Sequence, residues 1–468
     1  MINVSYRPER TILELGDEFY DKVEPANFPQ AILRFRNHRA AAQVGLAGLA
    51  DEDWIRHFAR FEALADNLTD KLALRYHGHQ FRSYNPDLGD GRGFLFAQMR
   101  DHRDRLMDLG TKGSGQTPWS RFGDGRLTLK GGVREILATE MLEALGVETS
   151  RTFSLIETGE ALHRGDEPSP TRSAVLVRMS HGHIRIGTFQ RLAYLGQADN
   201  MRALTDYCLR HFYGEEGGAD GPARLLGHVA ERTARLAASY IAAGFVHGVL
   251  NSDNINVTAE SFDYGPWRWT PYWDGSFTAA YFDQTGLYSF GRQAEAIHWD
   301  VVQLYRSLAL IAQEEALRPA AEAFPEHFNQ ALRAAIFRRL GIVPGELEAD
   351  LELIVAIQTA MVEGSVEIDR FFFDWRGGRR RGPTPADKAY EAEPFTVLAE
   401  QLSAYEAAPG ALDHPYWSGD RPCSMHIDEV EAIWARIDKE DDWSALNAKV
   451  SDVRRMGEAY HRVPSKGA

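Results

Sequence analysis

Asparagine and aspartate oxygens are the hard ligands that Mg²⁺ prefers. The stretch HGVLNSDNINVTAESFDYGP (247–266) sets Asn254 and Asp263 nine residues apart, with a second carboxylate, Asp253, beside the asparagine. A carboxylate so placed is a candidate proton acceptor for a hydroxyl. Upstream, LGTKGSGQTPWSRFGDGR (109–126) puts Lys112 among glycines at the end of an apolar run, and Glu135 follows on a segment with helical patterning. A lysine held by such an ion pair grips phosphate oxygens. LGDGRGFLF (88–96) joins Gly89, Gly91 and Arg92 in one turn. That turn offers close backbone approach to a ligand beside a cation suited to phosphate, although a tight hairpin accounts for it equally well. In VRMSHGHIRIGTFQ (177–190), Arg178 and Arg185 are seven residues apart, a spacing that can aim both at one triphosphate.

The 247–266 stretch also follows the order of a protein-kinase catalytic loop, in which a His is followed by an Asn seven residues on and then by Asp-Phe-Gly. His247, Asn254 and Asp263-Tyr264-Gly265 occupy those places. Val249 stands where a kinase keeps its catalytic aspartate, and a valine cannot accept a proton. Asp253 is the neighbouring carboxylate that can substitute. The pairs His77/His79 and His181/His183 have His-x-His spacing, but no third ligand follows at a recognisable interval, so they are not read as a metal site. Trp267 and Trp269 read as packing residues.

The elements that hold these residues follow from periodicity. Residues 28–75 read as mostly helical, with ILRFRNHRAAAQ and DEDWIRHFARFEALA spacing apolar residues three and four apart, and Asp51 or Asp53 as a cap for the second. FLFAQM (94–99), RLMDLG (105–110), RTFSLIET (151–158) and SAVLVRM (173–179) read as strands. A helix is expected at 132–145, stopped by Gly146. Further helices are expected near 199–212, 221–243, 294–314, 318–340, 346–364, 385–408, 427–437 and 442–459. Between them, FVHGVLNSDNINV and FTAAYFD read as short strands and loops, and RGGRRRGPTP (376–385) as an exposed loop. The expected architecture is therefore α+β and bilobal. It consists of an N-terminal helical extension (1–75), a strand-rich kinase-like N-lobe (76–195) and a larger helical C-lobe (196–468) carrying the metal-binding loop 247–266.

Composition narrows the functional classes. In 468 residues, 52 Lys and Arg against 67 Asp and Glu leave a net charge of −15, which argues against broad nucleic-acid or anionic-membrane binding. The 24 Phe, 17 Tyr and 10 Trp supply ample packing surface for a folded chain. Only Cys208 and Cys423 occur, so two reduced thiols are expected rather than a disulfide scaffold. No signal-peptide pattern opens the sequence, and no run approaches the ~18 apolar residues of a membrane span. The expected compartment is the cytosol.

Taken together, HGHQF (77–81), LGDGR (88–92), KGSGQTPWSRFGDGR (112–126), VREILATE (133–140), SHGHIRIGTF (180–189) and HGVLNSDN…DYGP (247–266) resemble the SelO (YdiU, formerly UPF0061) family, in family order over roughly residues 70–300. That family consists of kinase-fold pseudokinases that act as protein adenylyltransferases and bind ATP inverted relative to kinases. The resemblance implies nucleotide contacts at Gly89, Gly91, Arg92, Lys112, Asp124, Gly125, Arg178, Arg185 and Asp263. It also implies Asp253 as proton acceptor, Mg²⁺ (or Mn²⁺) on Asn254 and Asp263, and Glu135 orienting Lys112. The implied partners are ATP and proteins bearing Ser, Thr or Tyr hydroxyls, with no nucleic acid and no membrane. Two other activities fit the same residues: a kinase that moves the γ-phosphate, or a nucleotide-binding scaffold without catalysis. The sequence departs from the family at Ser114 and Gln116, where Ala and Arg are usual, and at Asn85-Pro86-Asp87, where Ala-Gly-Gln is usual. The family's typical C-terminal Cys-x-x-Cys is absent, the sequence given ending HRVPSKGA, so the resemblance does not carry a redox switch over to this terminus.

Overall fold

The computed structural model describes residues 4–165 and 167–461. The terminal segment HRVPSKGA falls outside them except for His461. An antiparallel sheet of nine strands dominates the first 180 residues. Its main path runs Tyr20–Val23, Lys71–Leu74, Leu95–Arg100, Leu106–Lys112, Thr171–Ser180, Arg151–Leu162 and Ile32–Arg36. Two short strands, Pro8–Glu9 and Leu127–Thr128, add to this path at Leu95–Arg100 and Thr171–Ser180.

Side chains alternate between the faces of a strand, and here both faces are covered. Leu95, Leu106 and Leu176 join one apolar cluster, while their neighbours Phe96, Met107 and Val177 join another. The first face packs on the helix Leu129–Leu145 through residues such as Val133 and Ile136. The second packs on the helix Asp51–Phe58 through Trp54 and Phe58. The helix Leu129–Leu145 starts where the Thr128 side chain accepts from the Gly131 N–H, and it stops at Gly146, whose φ of 80° suits glycine.

Beyond residue 185 the chain is mainly helical. The long helix Gly221–Ala243 packs against Gln293–Leu308 and Phe324–Leu340. The last helix, Ser444–His461, returns to lie on Leu129–Leu145, where Arg454 binds Glu140 at 2.7 Å. Far ends of the sequence thus hold the helix that carries Glu135.

Several expectations need correction. Residues 1–75 are not a helical extension, because four strands of the main sheet come from them. ILRFR forms a strand against Arg151–Leu162, and only His38–Gln43 of that segment is helical. A register irregularity in this pairing lets Leu33 and Phe35 pack on different apolar clusters, so the segment does not show strict alternation. Asp51 and Asp53 lie inside the first turn of their helix rather than capping it. FTAAYFD forms turns, not a strand. The 318–340 and 385–408 segments each break into two helices, at Ala323 and between Tyr390 and Glu393. RGGRRRGPTP begins buried, because Arg376 is fully enclosed and donates to the carbonyls of Arg338, Arg339 and Ala411. Cys208 and Cys423 are free thiols, and Trp267 and Trp269 are buried in the core.

Candidate active site

The strand Leu106–Lys112 places Lys112 on the same face as Leu106, toward the helix Leu129–Leu145. Its antiparallel neighbour pairs Leu176 with Lys112, so Arg178, two residues on, emerges diagonally from Lys112 on the same face. One turn into the helix stands Glu135, almost fully buried, with its carboxylate bonded to the Lys112 ammonium. The same ammonium lies 2.9 Å from Asp263, and Arg178 reaches Asp263 at 3.4 Å. A strand lysine joined to a helix glutamate, with a loop aspartate beside it, is the ATP-gripping arrangement of protein kinases.

The loop around Asp263 is fixed from behind. His247 bonds through Nε2 to the Phe262 carbonyl at 2.9 Å and donates its backbone N–H to Gln293 Oε1 at 3.0 Å. Asp263 itself has a φ of 62°, a left-handed conformation that costs a non-glycine residue energy and recurs at functional sites. The Phe262 ring is met by both Arg178 and Arg185, whose guanidinium carbons lie 5.1 and 4.9 Å from its centroid. Arg185 is also stacked on Tyr76 at 4.1 Å and donates to Asp90 and to the Asp253 carbonyl, both at 3.0 Å.

Lys112, Arg178, Arg185 and Asp263 line a cleft of about 750 Å³ between the sheet and the helical part, walled also by residues 88–93 and 119–126 and by Val249, Asn251, Asp253 and Asn254. Its cations outnumber its carboxylates even though the whole chain is acidic. Lys112, Arg178 and Arg185 are buried within it, while Arg92 and Arg121 are exposed along it. A pocket of this sign attracts a polyanion.

The two carboxylates respond to the cleft in opposite ways. Burial raises the pKa of Asp263, but the fields of Lys112, Arg178, Arg92 and Arg185 outweigh it and hold the carboxyl well below its usual range. Asp253 is pushed up to about 7 by burial, with Arg185 offsetting part of the rise. Its Oδ1 is buried and accepts no hydrogen bond.

The metal expectation can be tested against the donors present. Asn254 and Asp263 line one cleft, and Asn254 gives its Nδ2 to the Val249 carbonyl at 3.1 Å, leaving its oxygen turned away from that bond. No cluster of three or more His, Cys, Asp or Glu capable of holding a metal occurs among the described residues. Two oxygen ligands with phosphate oxygens and water completing the shell fit Mg²⁺, which seldom takes an all-protein cage. The histidine pairs are engaged elsewhere: His181 bonds the Leu106 carbonyl at 2.8 Å and His183 meets Asp108 at 3.3 Å.

The chain matches the family model described as "Protein adenylyltransferase SelO" over residues 1–394. It belongs to the SelO family. Relatives named "Protein nucleotidyltransferase YdiU" are similar along nearly their whole length. The protein from Synechocystis sp. is 48% identical over 97% of this chain and 98% of its own. The one from Trichodesmium erythraeum is 44% identical over 95% and 97%. Among solved structures, ROP2 from Toxoplasma gondii, described as having a protein-kinase fold and no enzymatic activity, pairs with 72% of this chain and 82% of its own. The identity is 13% and the TM-score 0.26, too loose to bear on the site.

Within this SelO-family chain, Gly89, Gly91, Arg92, Lys112, Asp124, Gly125, Arg178, Arg185, Asp253, Asn254 and Asp263 all border the one cleft. Glu135 lies behind it. The glycine turn is packed on the chain itself. A Cβ on Gly89 would run into the Trp119 ring, and one on Gly91 would meet the Trp119 carbonyl at 2.8 Å. The close approach is therefore to the chain's own 117–120 segment. Gly125, at φ 70°, packs likewise on Gly115. Asp124 is paired bidentately with Arg164 at 2.8 and 3.1 Å, which holds it at the mouth of the cleft.

Sequence reasoning missed Asp90, Tyr76 and Phe262. Asp90 sits between Gly89 and Gly91, a carboxylate in a turn already singled out, and only the structure shows that it pairs with Arg185. Tyr76 and Phe262 are apolar neighbours of motif residues, and nothing in one sequence marks them as supports for arginines. No helix is long and apolar enough to cross a membrane among the described residues.

Proposed function

We propose that this protein transfers AMP from ATP, with Mg²⁺, to Ser, Thr or Tyr hydroxyls of other proteins and releases pyrophosphate. The observation that carries the reading is the opposition, in one cleft, of a buried cation group (Lys112, Arg178, Arg185) and a buried carboxylate, Asp253, whose Oδ1 accepts no hydrogen bond. Val249 leaves no base at the kinase position.

In this reading Lys112, Arg178 and Arg185 bind and orient the polyphosphate, with Glu135 fixing the lysine and Asp90 fixing Arg185. The acceptor oxygen forms a bond to the α-phosphorus as the bond to the bridging oxygen of the β-phosphate breaks. The proton of the hydroxyl passes to Asp253, and charge growing on the departing pyrophosphate is stabilised by the fixed cations. Mg²⁺ held by Asn254 and Asp263 supplies Lewis-acid stabilisation of phosphate oxygens. Because the cations are already in place and desolvated, little reorganisation accompanies the reaction.

Parallel incubation with α-³²P- and γ-³²P-ATP and a protein extract tests the reading. Label retained on protein from α-labelled ATP alone is expected. Retention from γ-labelled ATP alone would establish a kinase, and no label from either would establish a scaffold. Asp253→Asn is expected to keep ATP binding and lose transfer.

A further inference from the structure

Of HGHQF (77–81) only Gln80 borders the cleft, yet the whole motif lies against the loop that carries Asp253. Gly78–Gln80 pairs with Ser83–Asn85 in a small hairpin separate from the main sheet. This hairpin lies along residues 251–253 in matched order. The N–H of Phe81 donates to Asn251 Oδ1 at 3.1 Å, and the N–H of His79 donates to Ser252 Oγ at 2.8 Å. Gly78 rests on Asp253, so that a Cβ added there would lie 2.9 Å from both Cβ and Oδ1 of the aspartate.

The contacts are locked from outside. Ser252 Oγ donates to Gln190 Oε1 at 2.5 Å, and Gln190 Nε2 donates to His79 Nδ1 at 2.6 Å, closing a ring of three residues. Tyr288 donates its hydroxyl to Asn251 Oδ1 at 2.7 Å. The root of the hairpin is tied to the helix Ile186–Tyr194, where the His77 N–H donates to the Gly187 carbonyl at 3.1 Å. Asp253 Oδ1 accepts nothing. The oxygen that faces Gly78 is thus buried without a hydrogen bond, and the hairpin backbone packed against it limits where it can lie.

We propose that the hairpin 78–85 is a brace that positions Asp253, with Gly78, Asn251 and Ser252 as its positioning residues. The proposal rests on the reading of Asp253 as proton acceptor. Gly78 is the wall against which the carboxylate lies, and only a residue without a side chain leaves it there. Asn251 and Ser252 fix the two preceding residues of the turn. Displacement of a reacting group by about 1 Å costs on the order of a hundredfold in rate.

The test uses the full-length protein. Gly78 has no positive φ, so alanine is tolerated by the backbone and its methyl acts on Asp253. Gly78→Ala is expected to lower kcat for transfer of α-³²P label on the order of a hundredfold, with the fold retained and ATP affinity unchanged. Ser252→Ala is expected to lower kcat and to accelerate hydrogen exchange at the His79 amide, while Ser252→Thr, which keeps the hydroxyl, restores both. Unchanged kcat in Gly78→Ala and Ser252→Ala overturns the brace. If wild type transfers no α-label, the adenylylation reading falls by itself, and amide exchange then decides the brace. Faster exchange at His79 in Ser252→Ala supports it, and unchanged protection overturns it.

Discussion

The ammonium of Lys112 and the carboxylate of Asp263 meet at 2.9 Å, although they come from opposite halves of the chain, and Glu135 holds the same ammonium from the other side. One buried cation thus joins the sheet, the helix beneath it and the aspartate of the 247–266 loop.

Removing that cation strands Glu135. Lys112→Met is expected to destabilise the fold by roughly 3–5 kcal/mol, the usual cost of breaking a buried pair from one side. The double variant Lys112→Met/Glu135→Gln recovers much of the loss, because no buried charge is then unpaired. ATP affinity stays low in both. Urea unfolding and nucleotide titration of the two variants separate the structural effect from the binding effect; a double variant as unstable as the single would refute the pairing.

Asp263 is the one carboxylate among the proposed Mg²⁺ ligands. Asp263→Asn keeps the shape and removes the charge, so ATP binding is expected to lose its dependence on Mg²⁺. Titrating nucleotide with and without the metal checks this, and an undiminished Mg²⁺ effect would take Asp263 out of the metal site.

Asp300 carries a conflict of its own on the helix Gln293–Leu308. Both of its oxygens are buried and accept no hydrogen bond, and burial together with the charge of Asp253 raises its pKa well above the usual carboxylate value. A carboxyl whose folded pKa is raised contributes full stability below the unfolded value near 4 and loses it as pH rises toward the folded value. Asp300→Asn is therefore expected to stabilise the protein by about 1–3 kcal/mol near neutrality, and to do little at pH 4. Thermal unfolding at both pH values gives the comparison. Equal effects at the two would contradict the sign.

The thiols are expected to be slow. Burial pushes Cys423 up to about 11 and Cys208 well above its ordinary value, and the thiolate is the reactive form. Alkylation by iodoacetamide at pH 8 is expected to proceed far more slowly on native than on urea-unfolded protein. Mass spectrometry over time reads both sites, and rapid native labelling of Cys423 would show an activated thiol.

Local chemistry was legible in the residues themselves. Asn254 and Asp263 have metal-ligand oxygens at a readable interval, Lys112 and Glu135 stand at a strand end and on a helix, and Gly146 ends that helix as its conformational freedom allows. These facts depend on neighbours within a few residues, so one sequence contains them. The strand Ile32–Arg36 was not legible, because its apolar spacing suits a helix and only pairing with Arg151–Leu162 overrides it. Nor was the purpose of Gly89 or Gly78. A glycine declares that something comes close, but whether that is a ligand, Trp119 or the Asp253 carboxylate is decided by chain segments far away in sequence. The sequence by itself determined which side chains could bind phosphate, hold a metal and accept a proton. Only the tertiary structure decided which of them share a cleft, which are buried enough for their charges to act strongly on one another, and which backbone surfaces hold them still, because burial and register belong to contacts between segments that sequence order does not record.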